Sequence, residues 1–169
     1  MAGSDTTAAA IIAILYHLMR VPSAYAKLTK EIDKAIEENR LSEIVKYSEA
    51  VTLPYLVACC KEGMRLHPSV GMTLPRCVPP QGCILAGERI QGGTRVGVNA
   101  AVVHRDRKIF GDDADSFVPE RWFRADAKCM ERHMFVVRNA MPGELPMYPI
   151  LTGIAVWRRC KRMHWEECE

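Results

Sequence analysis

The first apolar run, AAAIIAILYHLM from Ala8 to Met19, has no breaker before Pro22 and predicts a mostly buried helix, with Ser4, Asp5 and Thr6 supplying capping chemistry at its start. Pro22 suits the first turn of a second helix, where Tyr25, Leu28, Ile32 and Ile36 recur every three or four residues and Lys27, Glu31, Lys30 and Lys34 face outward. Leu53, Leu56, Val57, Cys60 and Met64 predict a third helix. It stops before Pro68, because a residue ahead of proline disfavours helical angles. From Thr73 the pattern shortens to Ile84-Leu85, Arg89-Ile90 and the alternation Val96, Val98, Ala100, with a turn at Gly92-Gly93, which predicts short strands of a small sheet. Residues 104–135 mix charge and aromatics without a sustained period and predict a long ordered loop. Beyond Phe135, Pro142, Pro146 and Pro149 precede a burst of Arg, Lys and Trp that fits neither period. The fold class is therefore α+β, mainly helical, over residues 1–135, followed by a tail, 136–169, expected to be poorly ordered.

Composition narrows the classes. The chain has 169 residues, 49% hydrophobic and 25% charged, the range of one ordinary globular domain. A net charge of +3 is too balanced for a nucleic-acid footprint. The 7 cysteines are odd in number and give no C-x-x-C pair, so a reduced chain with no disulfide partner is expected. The longest apolar run is about half of the ~20 residues that cross a bilayer. His17, His67, His104 and His133 have no metal-ligand spacing, so no metal site is expected from them.

Three motifs carry more. Ala2-Gly3-Ser4-Asp5-Thr6-Thr7 opens the first helix, Glu62-x-x-Arg65 lies in KEGMRLHPSV, and Pro119-Glu120-Arg121-Trp122 follows VHRDRKIFGDDADSF. In this order and spacing they resemble the C-terminal half of the haem-thiolate (heme-thiolate) monooxygenases, the cytochrome P-450 family. The first is similar to that family's oxygen-activation motif, the second to its E-x-x-R helix and the third to its P-E-R-F loop, with Trp122 in the last place. The resemblance runs almost continuously over residues 1–135. It is most similar to fungal members of the pisatin demethylase and benzoate para-hydroxylase type.

Three apart on one helical face, Glu62 and Arg65 can pair locally, and Arg121 can bring a second guanidinium to the same carboxylate. On spacing alone they can equally form a solvated pair worth a few tenths of a kcal/mol. The resemblance implies the buried arrangement, with Glu62, Arg65 and Arg121 as structural residues holding the proximal side in shape for haem. It also implies that Asp5 and Thr6 are the catalytic acid-alcohol pair that relays protons to dioxygen, although Asp5 can also simply cap the helix. Arg76 is similar to an arginine that binds a haem propionate; a surface arginine is the alternative. The further implications are a cytochrome P-450 reductase as partner, a small hydrophobic substrate, and an endoplasmic-reticulum membrane reached through an N-terminal anchor. Without such an anchor, this chain is expected in the cytoplasm.

The family's chemistry depends on a cysteine thiolate on the haem iron, set in an F-x-x-G-x-R-x-C-x-G loop. After Phe135 the chain reads Val136-Val137-Arg138-Asn139 instead. The genetic code explains the departure. Read in the next frame, Trp157 with the arginine codon after it encodes glycine, Met163 with His164 encodes cysteine, and Trp165 with Glu166 encodes glycine. These three have the spacing of the missing loop. The Val136 codon begins GT, and Ile154 with Ala155 can end in AG, the splice-site dinucleotides. Residues 136–155 are thus expected to translate an unspliced intron, and 156–169 an out-of-frame haem loop. A divergent authentic tail is the alternative. Two functions follow: a haem-dependent monooxygenase by family, or a non-catalytic truncated fragment that cannot ligate haem iron.

Overall fold

The computed structural model describes residues 2–135 apart from Met72 and Leu74, with side chains from Asp5 onward. Helix α1 (Ala2–Arg20) is followed after Val21 by α2 (Pro22–Glu37), and the two axes bend by 110° where Pro22 starts the second helix. A single turn, α3 (Tyr47–Ala50), leads to α4 (Pro54–Leu66), again opened by a proline at its first position. Then come two antiparallel two-stranded pairs. The outer pair joins β1 (Arg76–Cys77) to β4 (Arg95–Val96), and between them lies the hairpin of β2 (Cys83–Leu85) and β3 (Glu88–Ile90). The remainder is a meander of short pieces: α5 (Ala100–Val103), α6 (Arg107–Phe110), a 3-10 turn at Pro119–Phe123 and α7 (Ala127–Arg132).

One apolar core lies between α1, α2 and α4, built from Ile14, Leu18, Leu28, Ile32, Leu53 and Leu56 and reached from the meander by Phe117. A second, smaller core of Ala58, Phe110, Ala114, Trp122, Met130 and Met134 lies between α4 and the meander. Helix α4 is common to both. Its crossing with α1 is close because Gly63 has no side chain: a Cβ there would sit 2.3 Å from Ile14 Cγ1 and 3.1 Å from Ile14 Cα. Glu31 of α2 fixes the start of α4 by accepting the Tyr55 and Leu56 backbone N–H groups, both at 2.9 Å. These are orphan donors of the first turn, and Pro54 ahead of them has none to satisfy.

The three long helices lie where the periodicity puts them, and the structure corrects the rest. Ser4, Asp5 and Thr6 do not precede α1 but lie inside its first turns, where free N–H groups and the helix dipole suit an acidic side chain. The helix is not mostly buried, since Ile12, Tyr16 and Met19 form an exposed apolar stripe. Glu31 turns toward α4 instead of facing outward. The expected single sheet is two separate pairs. Their hairpin turns at Ala86-Gly87, both at positive φ as a two-residue primed turn needs. The expected turn at Gly92-Gly93 is present, between β3 and β4. Ala100 begins a helical turn, capped by the Asn99 side chain, and does not end a strand. Residues 104–135 contain short helices because Asp106 caps α6 and Pro119 starts the 3-10 turn, local signals too brief for a periodicity window. The expectations for the tail lie outside the described residues.

Candidate functional site: a buried carboxylate shared by two guanidiniums

Glu62, in the middle of α4, is fully buried, and so are Arg65 and Arg121. The i,i+3 spacing lets Arg65 turn back on Glu62 as a two-point fork, with Nε to Oε2 at 3.0 Å and Nη2 to Oε1 at 2.9 Å. From the 3-10 turn, Arg121 Nε donates to Oε1 at 2.8 Å and the Trp122 indole N–H to Oε2 at 3.1 Å, while the Val118 N–H donates to Oε1 at 3.0 Å. Five donors therefore meet one carboxylate. It offers about four lone-pair sites, so its acceptor capacity is filled.

The guanidiniums spend their other donors on backbone carbonyls. Arg65 reaches those of His104 and Ala114 at 2.6 Å each and Ser116 at 3.1 Å. Arg121 reaches Phe110 at 2.6 Å and Asp113 at 2.9 Å, and its Nη1 meets the Asp113 carboxylate at 3.1 Å. Two positive and two negative side chains balance within the cluster, which is how buried charge is tolerated. Partial burial pushes the Asp113 carboxyl up, but Arg121 and Arg124 more than offset it and hold it below the ordinary carboxylate range. Because the carbonyls come from residues 104–116, both guanidiniums shape the meander as well as tether it.

Neighbouring contacts add to the attachment. Glu120 accepts from Lys27 of α2 at 2.6 Å and from the Tyr55 hydroxyl of α4 at 3.0 Å. Burial pushes the Tyr55 phenol up, helped by its bond to Glu120. Lys61 lies 5.7 Å from the centre of the Trp122 ring and pairs with Glu131 of α7. His17 of α1 stacks on Phe117 with centroids 5.2 Å apart. Burial pushes its imidazole down.

The structure brings Glu62, Arg65 and Arg121 together and leaves Asp5, Thr6 and Arg76 elsewhere. Asp5 is exposed and Thr6 half-buried in the first turns of α1, and the Thr6 carbonyl accepts from the Ser69 hydroxyl at 2.9 Å. Arg76 is exposed in β1. Spacing did not reveal Trp122, Asp113 or His104 as members of the cluster. The signal for Trp122 was the replacement of the family's usual phenylalanine by a residue with an N–H to place.

Haem would need a thiolate, and none of the described cysteines stands in an F-x-x-G-x-R-x-C-x-G setting. Cys59 and Cys60 are fully buried on α4, and burial pushes both thiols up, away from the ionised form. Cys83 is paired in a strand, Cys77 lies in β1 and Cys129 in α7. Among the described residues no cluster of His, Cys, Asp and Glu is arranged to hold a metal ion. The exposed Arg76 guanidinium does suit a propionate carboxylate.

The cytochrome P450 family model matches residues 1–136. The chain belongs to the cytochrome P450 family. It is similar to the cytochrome P450 monooxygenase cicH of Emericella nidulans, 48% identical over 127 residues, which take in 75% of this chain and 26% of that protein. A pisatin demethylase of Fusarium vanettenii is 41% identical over 125 residues, 74% of this chain and 24% of its own length. The cytochrome P450 monooxygenase hepC of Aspergillus oryzae is 37% identical over 160 residues, 91% of this chain and 31% of its own. That last match takes in residues beyond 136. The chain spans about a quarter to a third of the length of most of the curated relatives it matches. Among the described residues no single helix is long and apolar enough to cross a membrane.

Proposed function

We propose that residues 1–135 are the stretch of a haem-dependent monooxygenase that runs from the oxygen-activation helix to the meander, in the C-terminal half of the fold. Glu62, Arg65 and Arg121 are structural residues in this reading. They lock the meander to α4 so that the segment after residue 135 starts from a fixed place. The observation that carries the reading is the fully buried Glu62 carboxylate, which takes donors from α4 and from the P-E-R-W turn at once. Haem bound through a thiolate would supply the activation of dioxygen for oxidation of a small hydrophobic substrate, with electrons from a reductase at the endoplasmic-reticulum membrane. On α1, Thr6 passes a proton from its hydroxyl and Asp5 resupplies it; the exposure of Asp5 suits exchange with solvent. Arg76 holds a propionate.

The 169-residue polypeptide by itself is, in this reading, a non-catalytic product. Residues 136–155 translate an intron and 156–169 carry the haem loop out of frame. The genetic code supports it: three forced residues fall at the loop's spacing. A second reading, an authentic tail that still follows a relative, is favoured by the match to hepC, which covers 91% of the chain. Sequencing the transcript across the Phe135 and Val156 codons separates the two. A spliced species that continues as Gln-Phe-Gly and reaches a cysteine encoded across Met163 and His164 is the expected result. Reads running uninterrupted through Val136 to Ile154, with no spliced species, would overturn it. Reduced carbon-monoxide spectra extend the test to the protein: a thiolate-haem band is expected from the spliced product and none from the 169-residue chain.

A further inference from the structure

His104 is fully buried where α5 ends, between α4 and the last described residue. Its Nδ1 lies 3.1 Å from the Arg65 carbonyl oxygen, and its Nε2 lies 2.8 Å from the Phe135 backbone nitrogen. A carbonyl only accepts and a peptide N–H only donates, so the two contacts together demand one form of the ring. Nδ1 carries the proton and Nε2 is bare. The pairing with Arg65 is reciprocal, because Arg65 Nη1 donates to the His104 carbonyl at 2.6 Å. The Phe110 and Phe135 rings flank the imidazole, each centred 6.5 Å from it.

We propose that His104 is a positioning residue: held as the single neutral tautomer protonated at Nδ1, it fixes where the backbone leaves the meander at Phe135, and it releases that point when the ring takes a second proton. A proton on Nε2 would face the Phe135 N–H donor to donor and remove the acceptor that holds it. The charged groups facing the ring are the Arg65 guanidinium, from α4, and that of Arg105, next in sequence; both oppose a second positive charge, as does burial. The meander presents the apolar Phe110 and Phe135 rings. The latch is independent of haem. Its purpose, setting the start of the loop after residue 135, rests on the function proposed above.

The test uses the full 169-residue chain without haem, so its outcome is separable from that of the haem reading. Ring-nitrogen spectra of the 15N-labelled chain should show His104 protonated at Nδ1 and bare at Nε2 near neutral pH, with its titration displaced below the ordinary 6.5. Across that titration, exchange of the Phe135 amide relative to its intrinsic rate should rise roughly tenfold, the scale of one hydrogen bond, while the α4 amides hold. His104→Asn keeps a donor near the Nδ1 position and removes the acceptor for Phe135. It should raise Phe135 exchange by about the same factor at neutral pH and abolish its pH dependence. Should that variant fail to fold, the titration of the unmodified chain decides. A ring protonated at Nε2, Phe135 exchange indifferent to ring charge, or α4 amides opening together with Phe135 would each overturn the proposal.

Discussion

Helix α4 is held on two faces by opposite chemistries. Toward α1 the contact is apolar and close, set by Gly63 against Ile14. Toward the meander a small apolar core is joined by a saturated ionic cluster, set by Glu62, Arg65 and Arg121. The apolar face tolerates change in proportion to volume, because its energy is spread over many small contacts. The ionic face does not degrade by degrees: removing one charge strands the others without solvent. A short, irregular meander with little core of its own thus acquires one defined geometry. On the function proposed above, that suits a segment that aims the chain following it.

The largest effect should come from breaking the ionic face. Glu62→Ala leaves two buried guanidiniums without their shared partner and should cost about 3–5 kcal/mol in urea unfolding, enough to unfold a marginal domain. Simple buried ion pairs can often be replaced by apolar residues at no loss. Here Glu62→Leu, Arg65→Met and Arg121→Met combined should not recover the stability, because the carbonyls of His104, Phe110 and Ala114 would lose their arginine donors. Recovery would show that the carbonyl contacts carry little.

Overpacking the apolar face should cost less. Gly63→Val should destabilise by roughly 1–3 kcal/mol, and Ile14→Ala in the same chain should return part of it. Additive losses in a double-mutant cycle would contradict the close crossing. Trp122→Phe, which installs the residue usual in the family, removes one of five donors to Glu62 and should cost about 1 kcal/mol. Acid should act in one direction. His17 and His104 are held below their ordinary 6.5, so the unfolded chain binds more protons than the folded one as pH falls through that value. Thermal midpoints should therefore decline from neutral pH downward, and again near the carboxylate range where Asp113 and Glu120 lose their bound cations. A midpoint that rises on acidification would refute this. The smallest change is expected from Lys27→Ala, since its pair with Glu120 is largely solvent-exposed and worth at most about 1 kcal/mol in the same unfolding assay.

The difference between the faces also explains what could be read from the chain. Leu28, Ile32 and Leu56 repeat with the helix and announce the apolar core directly. The Glu62-Arg65 pair is visible as a spacing. Its saturation is not, because Val118, Asp113, Trp122 and the carbonyls of residues 104–116 converge only when the chain has folded. Glu31 departs from its expected place for the same reason. On its own helix it occupies the polar side, and only the free N–H groups at the start of α4 give it a reason to turn inward. His104, isolated in sequence, carries no periodic signal for its two backbone partners.

The central claim is that a saturated Glu62 carboxylate, more than the small apolar core beside it, holds the meander to α4. Native-state amide exchange of Arg121→Lys tests it most directly, since lysine keeps the charge and loses the fork. Amides of residues 110–123 should lose protection by at least tenfold while those of α1 and the interior of α4 stay as in the unmodified chain. Equal loss in both regions, or none in the meander, would contradict the account.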